Sequence, residues 1–285
     1  LTWHNISYTI LDRVINIYGQ EELIKRPGSS TKFSTILPRA SWIVDNSIFG
    51  FTGPIDGYRQ NISITASPGW KTDFKFQTIK LDARKYWRFG RDYTLAVRGF
   101  FGRSQGKDAQ KFFLGGVPYL LTDFQSGTTN GKSDPSAYRS VITDTSNSNL
   151  ITDVYFTEYV YPMRGARFAE RIGTYASLFN FEVRFPFINY LALGFPLKVV
   201  LGNIRGHAFV DVGAAWDSAD EFSSNSWPDK YGSNDTAKFS PWVVTSGLGV
   251  KINLGYFLLR VESAWDKNPS GYSKPQWYLS LGPDW

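Results

Sequence analysis

The sequence has no cysteine, one methionine and two histidines in 285 residues. Without cysteine there is no disulfide framework, thiolate nucleophile or cysteine-bound zinc. His4 and His207 stand far apart in the chain, a poor start for a multi-histidine metal site. No metal and no cofactor are expected. Long apolar runs are missing too: nothing approaches the roughly 20 consecutive apolar residues of a spanning helix. Phosphate-loop, triad and paired-carboxylate motifs are not found, so no enzyme activity is expected. The 31 basic residues outnumber the 25 acidic ones, for a net charge of +6, which invites a nucleic-acid reading. Yet the cations are scattered among carboxylates with no run of four, the pattern of a solvated surface. Residues 1–20 carry no targeting signal, and a chain that opens on Leu1 instead of Met is expected to begin inside a longer polypeptide.

What the chain does have is rings: 22 Phe, 16 Tyr and 10 Trp. They sit in a hydrophilic sequence of mean hydropathy −0.26. A soluble core is normally built from Leu, Ile and Val, so the rings need another destination.

Periodicity supplies one. No helical stripe of useful length occurs, whereas apolar and polar residues alternate in segment after segment. Tyr175, Ser177, Phe179, Phe181, Val183, Phe185 and Phe187 oppose Asn180, Glu182 and Arg184. Trp242, Val244, Leu248, Val250, Ile252 and Leu254 oppose Thr245, Gly247, Gly249, Lys251 and Asn253. Phe257, Leu259, Val261 and Trp265 oppose Arg260, Glu262 and Asp266, and Tyr93, Leu95, Val97 and Phe101 alternate with Thr94, Ala96 and Arg98. The last segment sets Trp277, Leu279, Leu281 and Trp285 against Tyr278, Ser280, Gly282 and Asp284. In 70–85 the phase changes between Phe76 and Ile79, which suggests a bulge. Segments near 2–18, 33–47, 57–67 and 204–216 are weaker strands, for ten in all.

Alternation alone fits a soluble β-sandwich binding module as well as a membrane barrel. Three features favour the barrel. Polar faces carry charges and glycines suited to a lumen. Rings recur at strand ends (Trp87, Trp216, Trp242, Tyr256, Trp265, Trp277, Trp285), where interfacial girdles need them. Connections alternate between tight (253–256) and long (217–239, 105–173), the pattern of periplasmic turns and extracellular loops. The expected fold is an all-β, transmembrane antiparallel β-barrel.

Four motifs in order make the reading specific: Phe-Phe-Leu-Gly-Gly at 112–116, Met-Arg-Gly-Ala-Arg-Phe at 163–168, Phe-Val-Asp-Val-Gly-Ala-Ala-Trp-Asp at 209–217, and Trp-Tyr-Leu-Ser-Leu-Gly-Pro-Asp-Trp at 277–285. Together they resemble the C-terminal part of the Omp85 superfamily, the BamA/TamA-type barrel. The resemblance implies a barrel of about sixteen strands, of which ten are visible here, in the outer membrane of a Gram-negative-type bacterium. Upstream strands and periplasmic domains would precede Leu1. Residues 105–173 would form one long extracellular loop folding into the lumen, with a polar insert at 117–160.

In that family the Arg-Gly element is the loop tip, and its arginine contacts a Phe-x-Asp-x-Gly strand motif. Carried over, Arg164 and Gly165 are the tip, and Phe209, Asp211 and Gly213 the strand motif. The phase agrees: Asp211 lies opposite Val210, Val212 and Ala214, hence inside, where a carboxylate needs a partner such as an arginine fork. Glu182, also inward, is a second partner on the same reasoning. His207 faces inward as a hydrogen-bonded wall residue. The lock is read as structural, not catalytic. Ala166 departs from the family pattern, which has an aromatic directly after Arg-Gly; here the ring comes at Phe168. Trp277, Leu279, Leu281, Gly282 and Trp285 resemble the C-terminal strand signal read by assembly machinery. The implied function is insertion or translocation of proteins through a lateral seam. The implied partners are outer-membrane lipid, unfolded outer-membrane protein clients and accessory lipoproteins. The alternative is a membrane anchor or secretion pore for a fused or associated propeller-like or hydrolase domain in the periplasm.

Overall fold

The computed structural model describes residues 2–8, 11–15, 21–25, 31–69, 74–118, 120–125, 157–160, 162–166, 169–194, 199–222, 241–255, 257–268 and 271–282. The described elements are strands, apart from one 3-10 turn at Ala219–Phe222. No described helix is long and apolar enough to cross a membrane, which says nothing of strands.

The main sheet has twelve described strands; the ten along its path are β1 (Arg39–Asp45), β2 (Gly53–Pro68), β3 (Lys75–Phe89), β4 (Tyr93–Gln105), β5 (Leu120–Gln125), β6 (Tyr175–Leu193), β7 (Val199–Trp216), β8 (Trp242–Asn253), β9 (Leu258–Asn268) and β10 (Gln276–Leu281), and two short ones lie off it, Ile48–Gly50 beside β2 and Gly271–Tyr272 beside β9. The order along the path is β5-β10-β9-β8-β7-β6-β4-β3-β2-β1. Every neighbouring pair is antiparallel. The sheet is rolled. Arg184 of β6 donates to the carbonyl of Pro54 at 2.8 Å, and Asn253 of β8 donates to the carbonyl of Phe51, so the hairpin between β1 and β2 reaches strands far from its own neighbours. It does not close, because β1 and β5 end the sheet without pairing to each other.

Strand phase sorts the side chains into two classes. Outward positions hold exposed Phe179, Phe181, Phe187, Val210 and Leu248. Inward positions hold buried Arg98, Asn180, Glu182, Arg184, His207, Asp211, Lys251, Arg260 and Glu262. This inversion, apolar outside and charged inside, is what a lipid-facing barrel wall requires. The alternation places Trp87, Trp216, Trp242, Trp265 and Trp277 on the outward phase; Tyr256 lies outside the described residues. By strand order, the connections of few residues between β3 and β4, β6 and β7, and β8 and β9 join strands at one end of the sheet, and the long ones between β4 and β6 and between β7 and β8 join them at the other.

Three local expectations are corrected. The change of phase in 70–85 is no bulge: β3 pairs in continuous register on both sides, with Phe76 pointing inward and Ile79, Leu81 and Ala83 outward. Phe74 and Phe76 pack with Leu37 as a small apolar cluster of their own. Register does shift between Pro186 and Ile188, where proline cannot donate to the ladder, and also between Ile48 and Phe49 and between Leu120 and Thr122. The segment 33–47 is two strands split at Pro38, and 2–18 contributes short strands to two separate ribbons, Thr2–Tyr8 with Thr31–Leu37 and Leu11–Ile15 with Glu21–Lys25. Finally, residues 120–125, read as part of the polar insert, form β5; residues 126–156 of that insert lie outside the described residues.

Candidate functional site

The chain between β4 and β6 seats a second, small sheet against the inner face. Phe112–Leu114 pairs in parallel with Glu158–Val160 and antiparallel with Arg171–Gly173. Phe112, Leu114, Val160 and Met163 are buried, and they cluster with Phe100, Leu178, Ala215 and Val243 from the wall. Burial of these apolar side chains, each worth about 1.5–3 kcal/mol, holds the segment in place. Gly116 and Met163 form a bridge, which brings the turn at Arg164 over the polar rows of the wall.

Register defines those rows. Asn180, Asp211, Thr245 and Asp266 lie across one rung of β6–β9; Glu182, Phe209, Gly247 and Ala264 across the next; Arg184, His207, Gly249 and Glu262 across the third. Arg164 lies over all three. Its backbone N–H and Nε donate to Asp211 Oδ2 at 3.1 and 3.0 Å, and Nη2 to Oδ1 at 2.9 Å. Nη1 reaches Glu182 Oε2 at 2.7 Å and Glu262 Oε1 at 3.2 Å. The guanidinium carbon stands 3.5 Å from the centroid of the Phe209 ring, so the cation is stacked on one face and forked at its edge. At 1% exposure for Arg164 and 0% for Asp211 and Glu182, these charges are shut off from bulk solvent and rely on one another.

The carboxylates are shared. Glu182 Oε1 accepts from Lys251 Nζ at 2.6 Å and Arg184 Nε at 2.7 Å. Asn180 Nδ2 bridges Asp211 Oδ1 and the Pro162 carbonyl, both at 2.8 Å. Glu262 Oε1 meets His207 Nε2 at 2.9 Å. The whole is a buried, nearly charge-balanced network. Among the described residues no cluster suited to holding a metal ion occurs.

Gly165 has φ +84°, a region that L side chains rarely adopt, and a Cβ there would come within 3.1 Å of Ala264. Its N–H donates to the Tyr278 hydroxyl at 3.0 Å, which ties the tip to β10. A Cβ at Gly213 would meet Leu114 and the Met163 sulfur at 2.9 Å, so the glycine lets the small sheet approach the wall. Ala166 is buried; Phe168 lies outside the described residues. On β10, Trp277 is exposed, Leu279 and Leu281 share its phase, and Gly282 N–H donates to Leu258 O at 3.1 Å. Trp285 lies outside the described residues.

The Omp85 superfamily domain matches residues 12–285. This chain belongs to the Omp85 superfamily. Among solved structures, CdiB from Acinetobacter baumannii is similar at 13% identity and a TM-score of 0.41, over 92% of this chain and 36% of that one. No curated protein matches the sequence. Arg164, Phe209 and Asp211, singled out in the sequence, are direct neighbours in this fold, with Glu182 beside them. Sequence reading left out Glu262, Lys251, Arg184, Asn180 and Tyr278. All five were legible as inward positions, but which rung each occupied depended on register.

Tyr278→Phe keeps the ring and removes the acceptor of the Gly165 N–H, leaving a buried donor unpaired. The expected loss is about 1–3 kcal/mol in the stability of the docked tip, read as faster limited proteolysis between β4 and β6 with the wall strands still protected.

Proposed function

We propose that the chain is the barrel-forming part of an outer-membrane protein that inserts or translocates other proteins through a lateral seam beside its last strand. The observation that carries this reading is the family match over residues 12–285. The sheet edge supports it. β10 has six residues beside the eleven of β9, and its other side is covered by the six-residue β5, whose register shifts between Leu120 and Thr122. A client strand could replace β5, satisfying the β10 backbone groups while entering lipid, where open edges are not tolerated. In this reading the Arg164 network is a structural latch that keeps the loop docked while the edge exchanges, and Trp277, Leu279, Leu281, Gly282 and Trp285 form the assembly signal. Periplasmic domains upstream and accessory lipoproteins would deliver the client.

A second reading, an anchor or secretion pore for a periplasmic domain, is favoured by Ala166, which stands where the family places an aromatic, and by the polar insert. The two separate in vesicles. The protein carrying this chain, reconstituted in liposomes, is expected to speed the folding of a urea-unfolded eight-stranded outer-membrane barrel, read as protease-protected client. Folding no faster than in empty liposomes would reject the insertion reading.

A further inference from the structure

The outward face of the sheet carries a polar constellation that the seam and the latch do not use. Lys85 of β3 has outward phase, between Ala83 and Trp87. Its Nζ stands 5.7 Å from the Tyr58 ring centroid and 5.7 Å from the Trp87 ring, and among the described residues it has no carboxylate partner. Register explains the setting. Tyr58, Lys85 and Val97 form one rung across β2, β3 and β4; Gln60, Ala83 and Gly99 form the next; Ile62, Leu81 and Phe101 the one after. The middle rung has almost no side-chain bulk on β3 and β4, so the surface dips there between larger neighbours. The dip is a cavity of about 480 Å³ lined by Tyr58, Gln60, Ala83, Arg84, Lys85, Val97 and Gly99. Arg84 points inward to Asp82, so its share of the wall is backbone.

We propose that this hollow binds one glycerophospholipid, with the phosphate on Lys85. The ammonium supplies the charge complement, the Gln60 amide a donor to ester or phosphate oxygens, and the Ala83 and Gly99 floor a bed for an acyl chain. Position selects the leaflet. Lys85 lies four residues before the end of β3 at Phe89, which precedes the tight turn to Tyr93; at about 3.3 Å per residue and a tilt near 40° that is roughly 10 Å in from the short-turn, periplasmic end. A phosphate at headgroup depth is within reach of a lysine that extends its stem along the wall. Arg103 is the contrast: it also stacks on a ring, 5.4 Å from Tyr175, but is not among the residues lining this hollow. The proposal rests on the outward face meeting lipid, not on the protein moving clients.

Native mass spectrometry of the detergent-purified protein, titrated with phosphatidylglycerol, tests it. The expected result is one retained lipid, with binding about tenfold weaker in Lys85→Met, the loss of one charge-assisted contact. Ala83→Leu, which fills the hollow and leaves the charge, should weaken binding too, and Arg103→Met should not. Unchanged retention in both Lys85→Met and Ala83→Leu would overturn the proposal, as would inorganic phosphate competing as well as lipid. Wild-type protein that needs no detergent to stay in solution would instead overturn the outer-membrane reading beneath it.

Discussion

Arg164→Ala should release the loop tip and destabilise the folded barrel by roughly 3–5 kcal/mol, the cost of stripping a partner from buried ions. Asp211 suffers most. Three of its hydrogen bonds come from Arg164, and only Asn180 remains among those described above. Glu182 keeps Lys251 and Arg184, and Glu262 keeps His207. The loss is therefore concentrated on one carboxylate, and this makes the coupling measurable. Asp211→Asn in the Arg164→Ala background should cost much less than it does alone, because the charge it removes is already unpaired. The double-mutant cycle, read from the temperature at which the folded band converts on a gel, should show non-additivity of 0.5–3 kcal/mol; additive effects would contradict the pairing. Arg164→Lys should recover little, since a single ammonium cannot span Asp211 and Glu182 together.

Glu182→Gln should cost about as much, again roughly 3–5 kcal/mol, although it changes no volume. One carboxylate here receives Arg164, Arg184 and Lys251 at 2.6–2.7 Å, with no exposure of its side chain. The neutral amide presents one oxygen to three cations and turns its own N–H groups toward at least one of them. Loop docking and wall should fail together, because Arg184 also holds the Pro54 carbonyl of β2. Protease should then cut near β1–β2 as well as in the loop, a pattern distinct from the tip-only release expected of Tyr278→Phe. Glu158→Gln is the calibration. Its pair with Lys80 spans 2.7 Å, but the carboxylate side chain is 30% exposed, so the expected loss is no more than about 1 kcal/mol.

The sequence reading succeeded where one-residue alternation sorts side chains by itself. The phases of 93–101, 242–253, 258–266 and 277–281 placed Arg98, Lys251, Glu262 and Tyr278 inside without knowledge of the sheet. Asp211 and Glu182 were legible for the same reason, with the Arg-Gly element supplying their partner. Glu262 was visible as an inward carboxylate yet could not be joined to Arg164. They are 98 residues apart, and only the register of β7, β8 and β9 brings their rungs under one guanidinium. β5 was missed because Leu120–Gln125 shows no alternation and sits beside a polar stretch. The bulge at Phe76 was a misreading of phase: inward positions near a strand end can be aromatic when they cap the interior, as Phe74 and Phe76 do against Leu37.

The edge at β10 is the point on which the proposed function turns. Thr122 of β5 lies opposite Leu279 of β10 in register, and the chain has no native cysteine, so Thr122→Cys with Leu279→Cys offers a disulfide that fastens this edge alone. In liposomes, the oxidised double variant should remain folded and membrane-integrated but lose acceleration of client-barrel folding, and reductant should restore it. Undiminished client folding by the oxidised protein would contradict a seam that opens between β5 and β10.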